Sequence, residues 1–182
     1  MHMVIRAIVY AKNKEDALAK AANVFDGLTE NQDPFDYYEM FNTAGSVVSG
    51  RGRWGALPAA VKADSKAGKK LIEEGMKSTW DEFKEAIKAV REGISTGTDE
   101  KLFEDKDVKT NNMTGMFKYF CGLIGQYSGS AIWLYDHDGE GIRDREHLAN
   151  TLSKWKCVYE DKGQENPCKD LSVWVVPADV HY

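Results

Sequence analysis

The stretch MVIRAIVYAKNKEDALAKAANVFDGL, Met3 to Leu28, decides how the rest of the chain is read. Met3 to Ala11 is rich in β-branched residues and suits a buried strand. Asn13 then offers a side-chain cap, and Glu15 and Asp16 stand in the first turn, where negative charge meets the positive end of the helix dipole. Ala17, Leu18, Ala21, Ala22, Phe25 and Leu28 recur at helical spacing, so Lys14 to Leu28 is predicted as an amphipathic helix, with Gly27 close to its end. A strand-turn-helix opening of this kind is common in ferredoxin-like and related α+β sheets.

The pattern outward from that opening supports the same class. Ile72, Met76, Trp80, Phe83, Ile87, Val90 and Ile94 step by threes and fours, which predicts one long helix from Lys66 to Ile94. A second helix after Asn112 carries Met113, Met116, Phe117, Phe120, Cys121 and Ile124 on one face, placing Cys121 in the core. SAIWLYD, Ser130 to Asp136, is apolar on both faces and reads as a central strand. A short helix from Arg145 to Trp155 follows, and LSVWVVPADVHY closes the chain as a strand interrupted at Pro177, which suits an edge or a bulge. The polar, turn-rich residues around 96–111 read as a flexible loop. The expectation is a single α+β domain over residues 1–182. It has a mixed or antiparallel sheet of about five strands, ferredoxin-like or related, packed by one long helix and two or three shorter ones.

Bulk properties remove several function classes. At 182 residues the chain is long enough for one well-filled core, and an aromatic share of 11% is too high for a disordered chain. A net charge of −5 gives no global field toward nucleic acid or an anionic membrane, so any contact with a polyanion is local. Cys121, Cys157 and Cys168 are an odd number without a CxxC spacing, which suits free thiols better than zinc ligands. MHMVIRAIVYA has no basic leader region and too short an apolar run for secretion or spanning, so a reduced, cytoplasmic setting is expected.

The least ordinary segment is PFDYYEMFNTAGSVVSGRGRWG, Pro34 to Gly55. DYYEMF and SVVSGRGRW read as two strands, and Asn42 to Gly45 has turn chemistry, so an antiparallel hairpin is expected. Arg51 and Arg53 alternate around Gly52 with Trp54 next to them. Guanidinium groups clamp phosphate or carboxylate, an indole stacks on a planar group, and glycine lets a ligand approach the main chain. Tyr37 and Tyr38 add stacking surface or hydroxyls. The plainer alternative pairs the arginines with Asp36 and Glu39 across the hairpin and buries Trp54.

DHDGEGIRDREH, Asp136 to His147, begins like a calcium loop at Asp136, Asp138, Glu140 and Gly141. It fails at its twelfth position, where His147 replaces the bidentate glutamate. An acidic turn with Asp144 capping the next helix explains it more simply, although His137 or His147 beside Asp136 or Asp138 also suits acid–base work. Asp179 and His181, two apart on the last strand, share a face. The familiar catalytic and phosphate-binding signatures (GxSxG, HExxH, a Walker loop, GxGxxG) do not occur in a fitting context. No catalytic residue, metal ligand or cofactor is assigned.

Three islands carry a family resemblance. Asp36, Tyr37, Tyr38, Gly52, Arg53 and Trp54 resemble the aromatic-Asp-Tyr-Tyr…Gly-Gly-Arg-Trp signature of small uncharacterised phage and bacterial proteins. Asp138 and Gly139 resemble that family's later turn, and Asp179 and His181 its closing Asp-x-His strand. Arg51 stands where a glycine is usual, a longer insertion precedes the cluster, and no tryptophan follows the turn. The resemblance implies a phage or mobile-element origin and ties the three islands into one site. It implies no settled activity.

The leading functional expectation is non-enzymatic binding of a small anionic, nucleotide-like ligand. Tyr37, Tyr38, Arg51, Arg53, Trp54, Asp179 and His181 are its candidate residues. The sequestration of a nucleotide-derived signal by a phage-type protein is an analogy from that reading. Two rivals stand beside it. One is a metal-dependent hydrolase or phosphodiesterase using His137, His181 and nearby acids; the other is a protein–protein or self-association module. Neither extended nucleic acid nor a membrane is expected as a partner.

Overall fold

A computed structural model describes residues 1–30, 34–43, 46–103, 113–126, 132–157 and 170–182. The opening stretch folds as its pattern dictates. β1 spans His2–Ala11 and is buried along nearly its whole length, and α1 spans Lys14–Thr29. Asn13 caps α1: its side-chain oxygen accepts the Asp16 amide hydrogen at 2.9 Å. Replacing Asn13 by alanine is expected to cost about 1 kcal/mol, read as a lower urea midpoint with an unchanged slope.

The remaining elements in chain order are β2 (Tyr37–Met40), α2 (Gly50–Trp54), β3 (Val61–Lys62), α3 (Lys66–Thr96), α4 (Asp99–Phe103), α5 (Met113–Gln126), β4 (Leu134–Tyr135), α6 (Arg145–Cys157) and β5 (Ser172–His181). The fold is α+β with a mixed five-stranded sheet in the order β2-β5-β1-β4, and β3 also pairs with β5. β1 and β5 run antiparallel over ten residue pairs, from His2 opposite His181 to Ala11 opposite Ser172. β4 joins the far side of β1 in parallel, with Arg6 opposite Leu134.

Alternation along β1 sends the two faces of the sheet to two cores. Met3, Ile5, Ala7 and Val9 pack with Ala17, Ala21, Val24 and Phe25 of α1. Ile8 faces the other way and packs with Leu71, Ile72 and Met76 of α3, Leu134 of β4 and Leu148 of α6. Helices therefore cover both faces. No helix among the described residues is long and apolar enough to cross a membrane.

Four local expectations are corrected. SAIWLYD reads as a central strand, yet β4 is two residues long and lies at the sheet edge. Its apolar character serves two cores, since Leu134 faces α3 and Tyr135 faces α1. β5 passes through Pro177 without interruption and lies inside the sheet. Pro177 has no amide hydrogen and falls between the stretch of β5 paired with β2 and the stretch paired with β3. Cys121 is exposed, because α5 packs toward Ala86 of α3 through Leu123, Phe120 and Ile124. The stripe on α3 is buried at Ile72 and Met76, whereas Trp80 is 53% and Ile94 62% exposed. Beyond the sheet, α3 meets α5 on small residues instead, and a Cβ at Gly93 would lie 2.6 Å from the Phe117 ring.

The loop expected around 96–111 begins with the one-turn α4, and residues 104–112 lie outside the described residues. Asp144 caps α6 as expected, accepting the His147 amide hydrogen at 2.7 Å.

Candidate ligand-binding site

The expected hairpin does not form. β2 pairs with β5, placing Tyr37 opposite His181 and Glu39 opposite Asp179, and Gly50 to Trp54 is a short helix. Two glycines explain the difference. Gly50 has φ +52°, where a side chain is strained, and a Cβ there would crowd Glu39 at 3.0 Å. A Cβ at Gly52 would lie 1.9 Å from the Ser46 carbonyl oxygen. The chain turns back on itself at this point, and Val47 and Val48 are left exposed.

One contact joins this loop to the tail strand. The Gly50 amide donates to Asp179 Oδ2 at 2.9 Å, and Asp179 is 1% exposed. His2 Nδ1 lies 3.1 Å and 3.2 Å from the two oxygens of the same carboxylate. An Nδ1 proton donated to Asp179 leaves His2 Nε2 as acceptor for the Tyr37 hydroxyl, 3.3 Å away. The buried anion is thus met by an amide hydrogen and an imidazole.

A second imidazole stands beside the first. His181 Nδ1 is 2.6 Å from Asp36 Oδ2, and its Nε2 is 3.2 Å from the Met1 amino group. Tyr37 and His181 stack with ring centroids 5.3 Å apart, nearly parallel at 7°. The His2 ring meets His181 edge-on at 5.0 Å. The sheet end therefore carries a small aromatic and imidazole cluster with two carboxylates behind it.

Arg51, Arg53 and Trp54 project from α2, directly after the Gly50 anchor, and all three are exposed. The Arg53 guanidinium carbon lies 5.8 Å from the centre of the Trp54 ring, within cation–π range. The carboxylates that a hairpin would have given the arginines are engaged elsewhere: Asp36 with His181, Glu39 with Ser49. Neither arginine has a carboxylate partner among the described residues, and Trp54 is not core.

Tyr38 leaves the group. Alternation along β2 turns it to the α1 face, where its ring packs on Phe25 and its hydroxyl donates to Asp26 Oδ1 at 2.7 Å. Burial, together with the Asp26 carboxylate, pushes its pKa up to about 12.

The chain, over residues 1–182, matches the model of a family described as a domain of unknown function (DUF7995). It belongs to the DUF7995 family. No curated protein and no solved structure matches it.

Of the three islands, this DUF7995 chain brings two together. Asp36 and Tyr37 meet His181, and the Gly50 amide at the head of α2 meets Asp179, but Asp138 and Gly139 lie at the other end of the sheet. There the adjacent His137 packs on Tyr10 with ring centroids 4.8 Å apart. Tyr10 is eight residues along β1 from His2, a separation of about 26 Å on a strand. Sequence reasoning missed His2 and the Gly50 amide. Alternation puts His2 on the face of Val4 and Arg6, but only the ten-pair register with β5 brings it to Asp179.

A groove of about 760 Å³ opens between β3, the start of α3 and α6, lined in part by Lys62, Ile72, Leu152 and Val173. None of the candidate residues lines it. Its one arginine, Arg145, is engaged with Glu73 at 2.6 Å and 2.9 Å. We place the candidate site at the His2–Asp179 end, because the convergent titratable and stacking groups are there and not in the groove.

Proposed function

We propose that this DUF7995 protein binds a small anionic, nucleotide-like ligand without turning it over. The ligand's planar part stacks beside Tyr37, His181 and Trp54, and its anionic part meets Arg51 and Arg53. What supports the reading is the Gly50 amide bond to Asp179, which ties the segment bearing two guanidiniums without a carboxylate partner among the described residues to the strand bearing His181. Asp179 acts through position, not contact: buried and already hydrogen-bonded, it holds the α2 loop. The family resemblance in the two joined islands supports a protein of phage or mobile-element type, and sequestration of a nucleotide-derived signal is the role that such an origin suggests by analogy.

A thermal-shift panel of mono-, di- and cyclic nucleotides tests this proposal. A ligand at a hundred times its Kd contributes about 2.7 kcal/mol, a rise of roughly 5–10 °C for a chain of this size. The rise is expected to disappear in Arg53→Ala and to shrink in Arg51→Ala. A panel in which no nucleotide stabilises the protein removes the proposal.

One observation favours a second, hydrolytic reading. The chain Asp179–His2–Tyr37 has the order orienting carboxylate, imidazole, hydroxyl, which is the arrangement of a supported general base. It predicts turnover of a phosphodiester that is lost in His2→Gln. Stabilisation by a nucleotide that is recovered intact decides for binding.

A further inference from the structure

We propose that the turn following β4 holds a divalent transition-metal ion between Asp136, Glu140 and His147, at the end of the sheet away from the ligand-binding site. The donor atoms of these three side chains all lie within 4.8 Å of one another. Asp136 is the centre of the argument. Its side chain is 3% exposed, and its Oδ1 accepts the amide hydrogens of Asp138 at 3.0 Å and Glu140 at 2.9 Å. Its Oδ2 takes no hydrogen bond among the described residues. His147 Nε2 lies 3.5 Å from it. That separation is long for a hydrogen bond, but it suits two ligands of one ion, since donors 2.0–2.1 Å from a tetrahedral centre stand about 3.4 Å apart.

The carboxylates here have no strong cation. Asp136, Asp138 and Glu140 form no ion pair with lysine or arginine among the described residues; the groups near them include the imidazoles of His137 and His147 and the Tyr10 hydroxyl. Arg145, on the same helix as His147, is committed to Glu73. A carboxylate buried this deeply is costly unless paired or bound to a metal. Beside them, His137 Nδ1 is buried with no hydrogen-bond partner among the described residues, on a side chain 31% exposed. With Asp136 and Asp138 it forms a second potential ligand group that shares Asp136.

The backbone holds the ligands in place. The Asp136 amide donates to the Glu140 carbonyl at 2.9 Å, closing the turn at Gly139 with φ +81°. His147 sits in the first turn of α6, fixed by its amide bond to Asp144. One imidazole with two carboxylates suits zinc, manganese or cobalt better than calcium or magnesium, which prefer oxygen throughout.

The test uses the full chain, stripped with EDTA and dialysed, titrated calorimetrically with Zn²⁺, Mn²⁺ and Mg²⁺, with Co²⁺ as an absorption probe. Zn²⁺ is expected to bind at one equivalent and to raise the melting temperature, with Mg²⁺ at least tenfold weaker. Glu140→Gln and His147→Gln, both at positions that are not fully buried, are each expected to weaken Zn²⁺ at least tenfold. His147→Gln also loses the Co²⁺ bands of an imidazole ligand, and His181→Gln leaves binding unchanged. Circular dichroism establishes that each variant is folded. No saturable Zn²⁺ or Mn²⁺ binding overturns the proposal. So does binding that survives both turn variants, or binding lost in His181→Gln, which would put the ion at the other histidine cluster.

Discussion

Asp179→Ala is expected to lower stability by about 3 kcal/mol and to abolish any nucleotide-induced thermal shift. The loss arises because the substitution leaves the Gly50 amide without its acceptor in a buried setting, at a cost of about 1–3 kcal/mol, and removes a charge-assisted bond to His2. At 2–4 °C per kcal/mol the melting temperature falls by roughly 6–12 °C. The functional loss follows from geometry. Arg51, Arg53 and Trp54 belong to a five-residue helix tied to the tail strand at its first residue. Asp179→Asn keeps an oxygen for the amide and gives up the charge, so a smaller loss of about 1 kcal/mol is expected. Chemical denaturation of both variants measures the difference. An alanine variant within 0.5 kcal/mol of the parent would show that the buried carboxylate does not hold the loop.

Gly52→Ala is expected to destabilise by about 1–3 kcal/mol and to eliminate ligand binding without touching a ligand-contacting side chain. The new methyl would lie 1.9 Å from the Ser46 carbonyl oxygen and 2.9 Å from the Val47 Cα, and neither is a side chain that can rotate aside. The segment from Ser46 to Gly52 must therefore reshape, and the guanidiniums move with it. Gly55→Ala is the matched control. Unlike Gly52 it stands at positive φ, +76° with ψ −166°, so backbone strain of about 1–3 kcal/mol is expected, but its Cβ would meet nothing within 4 Å and the loop has no clash to relieve. Equal binding by the two variants would separate the site from the tight packing at Gly52.

The elements legible in the sequence are those whose cause is local. α1 follows from its cap at Asn13 and its apolar spacing, both contained in the opening stretch. α3 follows from a stripe sustained over many turns, and its range, Lys66–Thr96, differs from the expected one only at the end. The face it buries was less legible. Spacing marks Trp80 as equal to Met76, but α3 outruns the sheet, and the residues facing α5 are chosen for smallness. The site was half legible. Asp179 and His181 share a face because strands alternate, and Arg51, Arg53 and Trp54 are neighbours by sequence alone. The partition of Tyr37 from Tyr38 needed only the same alternation, once β2 was known to pair with β5.

By itself, the sequence determined that this is an α+β chain built on a buried first strand, a capped amphipathic helix and one long helix. It also held the chemically distinctive residues of the candidate site. Tertiary structure decided what SVVSGRGRW becomes and which imidazole meets Asp179. A run with two valines has strand propensity, but the Gly50 amide finds its acceptor 129 residues away, and a helix start at that point satisfies it. His2 and Asp179 are 177 residues apart in the chain and meet only through the β1–β5 register. Propensity acts over a few residues. A buried polar group is satisfied wherever the sheet brings its partner, and no local pattern encodes that meeting.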